Sequence, residues 1–330
     1  MSLLIKGELK EDWFDKVSEE GEYVRKDSQF RNWITPDGKA GISGEAGFTA
    51  EKNRYHLYVS YACPWAHRTL IFRKLKKLED IISFSVVHPF MDNLGWDFTD
   101  DYPAATGDML YNLSRMHEIY TKAQPDYSGI VTVPVLWDKK RETIVNNESS
   151  EIIRILNSAF NHLIDDDEAR ALDFYPEDKQ TEIDKINKNV YDNINNGVYR
   201  TGFATTQKSY EKAYNRLFNA LDEMEKILSQ QRYLTGDQIT EADWRLFVTL
   251  IRFDVVYVGH FKCNKKRIYD YPDLFNFMLE LYQWPGIAET TFFDHIKHHY
   301  YYSHDMINPT RIVPLGPEQD LKQKHNRGNI

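Results

Sequence analysis

The sequence predicts two domains, an α/β domain in the first half of the chain and an all-α domain in the second. Up to about residue 160, short apolar runs rich in β-branched and aromatic residues alternate with helical patterns, as in an α/β fold. From about residue 165 the strand signals fade and helical periodicity dominates. We therefore predict an extended N-terminal arm over 1–55, an α/β domain over 56–160, and an all-α domain with an extended tail over 161–330.

The composition is that of a globular protein and argues against several kinds of partner. The chain has 330 residues, of which 42% are hydrophobic and 28% charged, as expected for a folded chain of two domains. It contains no apolar run of membrane-spanning length and no signal-peptide pattern, so we expect no membrane partner. A net charge of -9 argues against nucleic acid, because phosphate binding needs a basic surface. Two cysteines, Cys63 and Cys263, favour a reducing, cytoplasmic location over a disulfide framework.

The α/β domain is organised around a cysteine between a predicted strand at 56–60 and an amphipathic helix. Pro64 suits the first helical position, where its missing N–H costs nothing. Cys63 then lies at the helix cap, where unpaired backbone N–H groups and the helix dipole favour a thiolate. The alternative is an inert, buried cysteine, which is the usual state of a lone Cys. The Cys-Pro pair at a strand-to-helix junction favours the nucleophile.

The elements predicted after this helix are a strand at 81–89, a helix at 110–122, and a hairpin of strands at 130–138 and 143–145. Pro134 lies inside an apolar run, where a proline is out of place in a central strand. It fits if the Val133–Pro134 bond is cis and stands at the start of the strand. Glu148 and Ser149 then mark the start of the next helix.

The order β–α–β–loop–α–β–β–α, with Cys63 at the first helix and Pro134 before the third strand, resembles the thioredoxin fold as used in glutathione transferases. The fold class is therefore predicted to be a thioredoxin-like α/β domain followed by an all-α glutathione-transferase domain. In the second domain, Thr240 with Asp243 forms a capping box before a long apolar helix. A similar box opens the central helix of the all-α domain of glutathione transferases.

The chemistry expected of Cys63 follows from the absence of a second cysteine in its turn. Dithiol redox proteins carry Cys-x-x-Cys there, whereas the fourth position here is Ala66. A single thiol cannot resolve its own mixed disulfide, so the resolving thiol comes from outside, and glutathione is the obvious source. We therefore predict glutathione as co-substrate and reductive deglutathionylation as the reaction, more than conjugation.

The residues alone leave two groups of candidate site residues open. Glu148 and Ser149 would hold the γ-glutamyl ammonium and carboxylate of glutathione, or would only cap their helix, although the neighbouring Val133–Pro134 favours binding. Tyr199, Tyr257 and Tyr300 each offer a phenol that can donate a hydrogen bond or a proton to a ligand. Because the chain has 21 tyrosines, the sequence does not separate this role from ordinary packing.

Longer motifs across most of the chain resemble the glutathionyl-hydroquinone reductases, the xi class of glutathione transferases. The most specific are the Cys-Pro-Trp-Ala turn that begins at Cys63 and the Asn-Asn-Gly-Val-Tyr run that ends at Tyr199. The resemblance implies that Cys63 attacks the sulfur of a glutathionyl-hydroquinone, releases the hydroquinone and stays bonded to glutathione. A second glutathione then frees the enzyme as glutathione disulfide.

The resemblance also implies individual roles. Tyr199 is the proton donor or acceptor, while Tyr257 and Tyr300 lower the pKa of Cys63 or contact the hydroquinone. Family members often carry a basic residue where Ile130 stands, so a backbone contact is expected there. The family forms homodimers through its helical domain, and we expect the same here. The residues implied to hold glutathione are Trp96, Ile130, Val131, Thr132, Val133, Glu148 and Ser149.

Two further features favour structural interpretations. His295 and His299 share a predicted helix face, but no third ligand follows at motif spacing, so we expect no metal. Cys263 lies next to Lys262 in the sequence and is expected to be structural and not reactive.

Two other functions are compatible with the sequence. An omega-like thiol transferase or dehydroascorbate reductase would use the same cysteine on small mixed disulfides. A non-catalytic interaction module of the same fold would leave Cys63 unreactive. Relative rates on glutathionyl-hydroquinones and on small mixed disulfides separate the first from the reductase, and thiol alkylation against pH tests the second.

Overall fold

The computed structural model describes residues 2–10 and 18–329, which form two compact units. The first unit comprises residues 2–10, 26–172 and 294–299, and the second comprises residues 18–25, 173–293 and 300–329. Within the described residues, none of the helices combines the length and the apolar character needed to cross a membrane.

Nine strands and ten α-helices are described. The strands are β1 Leu3–Ile5, β2 Glu8–Lys10, β3 Tyr55–Val59, β4 Ser83–Val86, β5 Met91–Asp92, β6 Gly95–Trp96, β7 Gly129–Ile130, β8 Val135–Asp138 and β9 Thr143–Asn146. The helices are α1 Pro64–Leu75, α2 Met116–Ala123, α3 Ser149–Ser158, α4 Asp167–Ala171, α5 Gln180–Asn189, α6 Gly197–Gly202, α7 Gln207–Leu228, α8 Glu241–Arg252, α9 Pro272–Gln283 and α10 Phe293–Ser303. Two π-helical segments, Val190–Asn195 and Phe253–Tyr257, follow α5 and α8.

A four-stranded mixed sheet forms the centre of the first unit, in the order β4-β3-β8-β9. Strand β3 is parallel to β4 and antiparallel to β8, and every residue of β3 is buried. Because such a strand is covered on both faces, its sequence is continuously apolar and aromatic and does not alternate. Helices α1 and α3 pack against each other. The predicted α/β order of this part of the chain is confirmed.

Three predicted elements differ from the structure. The strand predicted at 81–89 is shorter, since β4 covers only Ser83–Val86. The strand predicted at 130–138 is divided into β7 and β8, and the Val133–Pro134 bond between them is cis, as the sequence indicated. The helix predicted at 110–122 begins only at Met116. The carboxylate of Asp108 accepts hydrogen bonds from the N–H groups of Leu110, Tyr111 and Leu113, and this side-chain-capped turn replaces the first helical turns.

The N-terminal arm contains two strands that the sequence pattern did not predict. Strands β1 and β2 pair with each other, and β1 also pairs with β7, placing Leu3 opposite Ile130. The sequence of the arm contains scattered aromatic residues, Trp13, Phe14, Phe30 and Trp33, which predict that the arm is fixed to the body of the protein. Trp33 is buried, as this prediction requires, whereas Trp13 and Phe14 lie outside the described residues.

The second unit is helical, as predicted, and α8 is its most buried element. All twelve residues of α8 are buried, from Glu241 to Arg252. The predicted capping box is present, because the Thr240 N–H donates to the Asp243 carboxylate at 2.7 Å. Asp243 also accepts the Leu234 N–H at 2.8 Å, which ties the preceding loop to the start of the helix.

Candidate active site

Cys63 is the N-cap residue of α1. Its backbone is extended, with φ -75° and ψ 121°, and Pro64 occupies the first helical position. Cys63 is partly exposed, and it forms no disulfide bond with Cys263. A partly exposed sulfur at a helix N-terminus faces the positive end of the helix dipole, which favours the thiolate. The predicted placement of Cys63 is thus confirmed.

The Cys63 sulfur lies beside the cis-proline segment. Its Sγ is 3.5 Å from the carbonyl oxygen of Val133, within reach of an S–H···O hydrogen bond. Val133 is only 4% exposed, and its N–H donates to no acceptor within the described part of the chain. Since buried backbone N–H groups are nearly always paired, this one is a candidate partner for a bound peptide.

The backbone just before Val133 is already occupied, which narrows the predicted glutathione contacts. Ile130 pairs with β1, and the Val131 N–H donates to the Ser2 carbonyl at 2.9 Å. The Thr132 N–H donates to the Tyr120 hydroxyl at 3.2 Å. Among the N–H groups of Val131, Thr132 and Val133, the Val133 N–H is therefore the one that the structure leaves for a ligand.

Glu148 and Ser149 lie at the start of α3, as predicted. The Glu148 carboxylate accepts hydrogen bonds from the Ser150 N–H at 3.0 Å and from the Ser150 hydroxyl at 2.9 Å, so it caps the helix. The buried hydroxyl of Ser149 accepts a hydrogen bond from Arg68 in α1 at 3.3 Å. The fully buried guanidinium of Arg68 also lies over the Trp65 ring, 4.6 Å from its centre.

Arg68 is a site-supporting residue that the sequence argument missed. It joins the helix that begins after Cys63 to the helix that begins at Ser149. The available signal was a charged side chain one turn after the Cys-Pro pair, where no other residue from Pro64 to Phe72 is an Arg, Lys, Asp or Glu. Lys and Arg are almost never fully buried unless paired.

Trp96, the remaining predicted glutathione contact, lies at the end of the short β5–β6 hairpin. Its indole is 4% exposed and stacks on the His299 ring, with centroids 4.7 Å apart and planes 23° apart. The Nδ1 atom of His299 in turn lies 2.9 Å from the Pro89 carbonyl oxygen. The indole is therefore held in a fixed orientation by a residue of α10.

The three predicted tyrosines meet in the second unit. The Tyr199 and Tyr300 hydroxyl oxygens are 2.5 Å apart, and those of Tyr257 and Tyr300 are 3.1 Å apart. Tyr257 and Tyr300 are buried, while Tyr199 is half-buried. Burial, and then the neighbouring phenols, raise the pKa of Tyr300 well above its usual value, so its hydroxyl keeps its proton. We call these three residues the tyrosine trio.

Both π-helical segments are next to the tyrosine trio in the chain. One ends at Asn195, shortly before Tyr199, and the other ends at Tyr257 itself. Asn195 is anchored to α8 through hydrogen bonds to the Arg245 carbonyl at 2.9 Å and the Thr249 hydroxyl at 2.7 Å. Single π-turns in helices are frequent at functional sites because they redirect the side chains that follow.

The other sequence candidates are engaged in ordinary packing. Cys263 is fully buried, and its burial raises the pKa of the thiol, as expected of a structural cysteine. His295 contacts the Pro103 carbonyl oxygen at 2.5 Å and His299 stacks as described above. Among residues 2–10 and 18–329, the acidic, histidine and cysteine side chains form no group of three that could hold a metal ion.

Models of known protein families match one segment in each of the two units. The family model of the glutathione S-transferase N-terminal domain matches residues 62–159, and that of the C-terminal domain matches residues 207–280. These matches define the class of protein as glutathione transferase. Glutathionyl-hydroquinone reductase YqjG of Escherichia coli (strain K12) is 56% identical over 327 residues, covering 99% of this chain and 98% of that protein. Glutathionyl-hydroquinone reductase PcpF of Sphingobium chlorophenolicum is 50% identical, covering 97% and 98%.

Solved structures agree with this assignment. The glutathione-bound structure of YqjG has a TM-score of 0.90 at 54% identity and covers 99% of each chain. The glutathione-S-transferase Xi of Phanerochaete chrysosporium has a TM-score of 0.88 at 56% identity and covers 94% of this chain and 98% of that one. The chain belongs to the glutathionyl-hydroquinone reductases, the xi class of glutathione transferases.

Proposed function

We propose that this protein reduces glutathionyl-hydroquinones to hydroquinones, with glutathione as co-substrate. The observation that carries the proposal is a lone, partly exposed thiol at the N-terminus of α1, in a chain of this family. Ala66 stands where a dithiol protein would have its second cysteine, so the resolving thiol has to be a second molecule.

The first step breaks the bond between sulfur and the aromatic ring. The Cys63 thiolate attacks the sulfur of the glutathionyl-hydroquinone and forms a disulfide with glutathione. The electron pair of the broken carbon–sulfur bond passes to the ring carbon, which takes up one proton, so the hydroquinone leaves reduced. The helix N-terminus supports this step because it favours the ionised sulfur over the thiol.

The second step restores the enzyme. The thiolate of a second glutathione attacks the glutathione sulfur of the mixed disulfide, and the electron pair of the broken S–S bond returns to Cys63. Glutathione disulfide leaves. The two electrons that reduced the ring thus come from two glutathione sulfurs, which form one disulfide.

Glutathione is held, in this proposal, by backbone and helix-terminus groups. The Val133 N–H and C=O pair with the cysteinyl unit of glutathione as a strand edge would. The first turn of α3, with Ser149 and Glu148, receives the γ-glutamyl carboxylate and ammonium. Trp96 and the segment from Ile130 to Thr132 line the same site in this proposal, although the N–H groups of Val131 and Thr132 are already donated within the protein. This arrangement needs no net basic field, which a chain of charge -9 does not supply.

The tyrosine trio supplies the proton in the same proposal. Tyr199 is the donor, because it is the half-buried member and its hydroxyl lies 2.5 Å from that of Tyr300. Tyr300, which keeps its own proton, and Tyr257 orient the Tyr199 hydroxyl or stabilise the Cys63 thiolate and the hydroquinone oxygens.

Replacement of Cys63 tests the reductase directly. Cys63→Ser should lose deglutathionylation by at least about a hundredfold, since a hydroxyl does not form the mixed disulfide. Intact-protein mass spectrometry after a single turnover should find one glutathione on the wild-type protein and none on the variant. Cys263→Ser is the matched control and should keep full activity, because that thiol is buried. Reductase activity retained in Cys63→Ser would rule the mechanism out.

An omega-like thiol transferase is the second candidate, since the same lone thiol suits it equally well. Parallel rates on a glutathionyl-hydroquinone and on a small glutathione mixed disulfide decide between the two. We propose faster turnover of the glutathionyl-hydroquinone.

We further propose a homodimer and a cytoplasmic location. A chain with only two cysteines, and thus no disulfide framework, fits a reducing compartment. The dimer follows the family resemblance, and sedimentation equilibrium of the purified chain tests it: a monomeric mass at micromolar concentration would contradict it.

A further inference from the structure

Tyr120 is a completely buried tyrosine of α2 whose hydroxyl joins two of the segments proposed to bind glutathione. The hydroxyl donates to the Thr132 carbonyl at 3.0 Å and accepts from the Thr132 N–H at 3.2 Å. The side-chain amide of Asn147 donates to the same oxygen at 3.1 Å. One atom therefore links the residue before Val133 to the residue before Glu148.

The hydrogen-bonding capacity of this hydroxyl is fully used. A phenol offers one proton and two acceptor positions, and the three contacts to Thr132 and Asn147 take all of them. Burial raises the pKa of Tyr120, so the donated proton stays on its oxygen. The phenol proton goes to the Thr132 carbonyl oxygen or to the Thr132 hydroxyl, 3.3 Å away, and in both cases the Tyr120 oxygen holds Thr132 and Asn147 together.

The surroundings of the junction are also fixed. The Asn147 Oδ1 accepts the Phe30 N–H at 3.1 Å, and the Asn147 N–H donates to the Phe30 carbonyl at 3.1 Å. The Phe30 ring meets the Tyr120 ring edge-on, with centroids 6.0 Å apart. The Asn147 amide is therefore oriented by the N-terminal arm, so that its Nδ2 points at the phenol.

We propose that Tyr120 is a positioning residue of the glutathione site, whose hydroxyl sets the spacing between the Val133 backbone edge and the start of α3. The proposal rests on the proposed function, in which one glutathione molecule bridges these two segments. A ligand that must pair with both at once is sensitive to small changes in their separation. Tyr120 itself touches neither the ligand nor the sulfur in this scheme, and acts through Thr132 and Asn147.

The test is Tyr120→Phe, which removes one oxygen and keeps the buried ring. Calorimetric titration with S-methylglutathione, which has no reactive thiol, should show about fivefold weaker binding, as expected for loss of one net hydrogen bond. In turnover, the KM for glutathione should rise more than kcat falls. Tyr55→Phe is the matched control: Tyr55 is equally buried in the same unit, and its hydroxyl donates to the Thr49 carbonyl at 2.7 Å. Tyr55→Phe should lower the melting temperature about as much as Tyr120→Phe does, and it should leave S-methylglutathione binding unchanged.

A second variant keeps the test decisive if Tyr120→Phe does not fold. Asn147→Ala removes the link to α3 and leaves the phenol of Tyr120 in place. It should weaken S-methylglutathione binding about as much as Tyr120→Phe does. In the double variant the two losses should not add, because both act through one oxygen. Wild-type affinity in Tyr120→Phe and Asn147→Ala, or equal weakening in Tyr55→Phe, would overturn the proposal. Because binding is measured without turnover, a failure here is distinct from a wild-type protein that does not reduce glutathionyl-hydroquinones.

Discussion

The sulfur atom of Cys63 is subject to two backbone interactions that act on its proton in opposite directions. The N-terminus of α1 favours the thiolate, whereas the Val133 carbonyl, 3.5 Å away, accepts the S–H hydrogen and favours the thiol. A glutathione backbone that pairs with Val133 competes for that carbonyl. In the proposed reaction, binding of the co-substrate therefore shifts the balance towards the reactive form of the sulfur.

Tyr300 is the residue on which the order of the tyrosine trio depends. Its hydroxyl contacts both Tyr199 and Tyr257, and it is buried. Tyr300→Phe should lower the free energy of unfolding by roughly 1–3 kcal/mol, the net value of two hydrogen bonds, and should lower kcat by loosening the Tyr199 hydroxyl. Denaturant unfolding and steady-state kinetics measure the two effects.

Tyr257→Phe is the control for that prediction, since it removes one of the two contacts and leaves the 2.5 Å pair of Tyr199 and Tyr300 in place. It should cost about half as much stability and less of kcat. Equal kcat values for Tyr300→Phe and the wild type would show that the trio is packing alone.

Helix α8 is buried along its whole length, and the carboxylate of Asp243 in its first turn is buried with it. Burial raises the pKa of Asp243 to about 6, from an ordinary 3.8, in spite of the hydrogen bonds that it accepts from Leu234 and Thr240. Because the folded pKa exceeds the unfolded one, the folded state binds this proton more tightly. The resulting stability is complete below about pH 4 and is lost as the pH rises through 6.

Asp243→Asn should remove this pH dependence. The free energy of unfolding of the wild type, relative to the variant, should fall by roughly 2 kcal/mol between pH 4 and pH 7, because only the wild type ionises. Urea unfolding of both proteins across this range measures the difference. A constant difference would mean that Asp243 titrates at its ordinary pKa in the folded protein. Any loss of the Thr240 N–H contact in the variant adds an offset that does not change with pH.

The elements show which parts of the fold were predictable from sequence. The N-cap position of Cys63, the cis Val133–Pro134 bond and the Thr240–Asp243 box are confirmed, and each depends on residues that are neighbours in the chain. Strand β1 was missed because its pairing partner, β7, is distant in sequence and neither strand has more than three residues. Short strands are defined by the pairing itself, so they carry little periodic signal.

The candidate site, like the fold, could be predicted from the sequence only in part. The family resemblance implied roles for the three tyrosines, but only the three-dimensional contacts show that Tyr300 joins the other two hydroxyls. The π-helical segments beside Tyr199 and Tyr257 were not predicted, because their period differs from the α-helical one by a single extra residue per turn, within an otherwise helical sequence. Tyr120 and Arg68 were missed because each acts through residues far away in the chain.

For the whole molecule, a net charge of -9 opposes the approach of an anion such as glutathione. Affinity in the proposed site must therefore come from short-range donors, the Val133 N–H and the first turn of α3, which lie in the first unit. The proposed proton donor lies in the second unit. The two units are thus assigned different tasks, glutathione binding and nucleophilic attack in one, protonation in the other.

Hydrogen exchange can test this division of tasks across the entire chain. Glutathione alone should slow amide exchange near Cys63, Val133 and Ser149 in the first unit, because binding orders the groups that hold it. A glutathionyl-hydroquinone bound to Cys63→Ser, which prevents turnover, should slow exchange at the same positions and also around Tyr199 and Tyr257. Mass spectrometry of peptic fragments resolves these regions, with α9, Pro272–Gln283, as an internal control that neither ligand should change. Identical protection by the two ligands would contradict the proposed contact between the tyrosine trio and the aromatic part of the substrate.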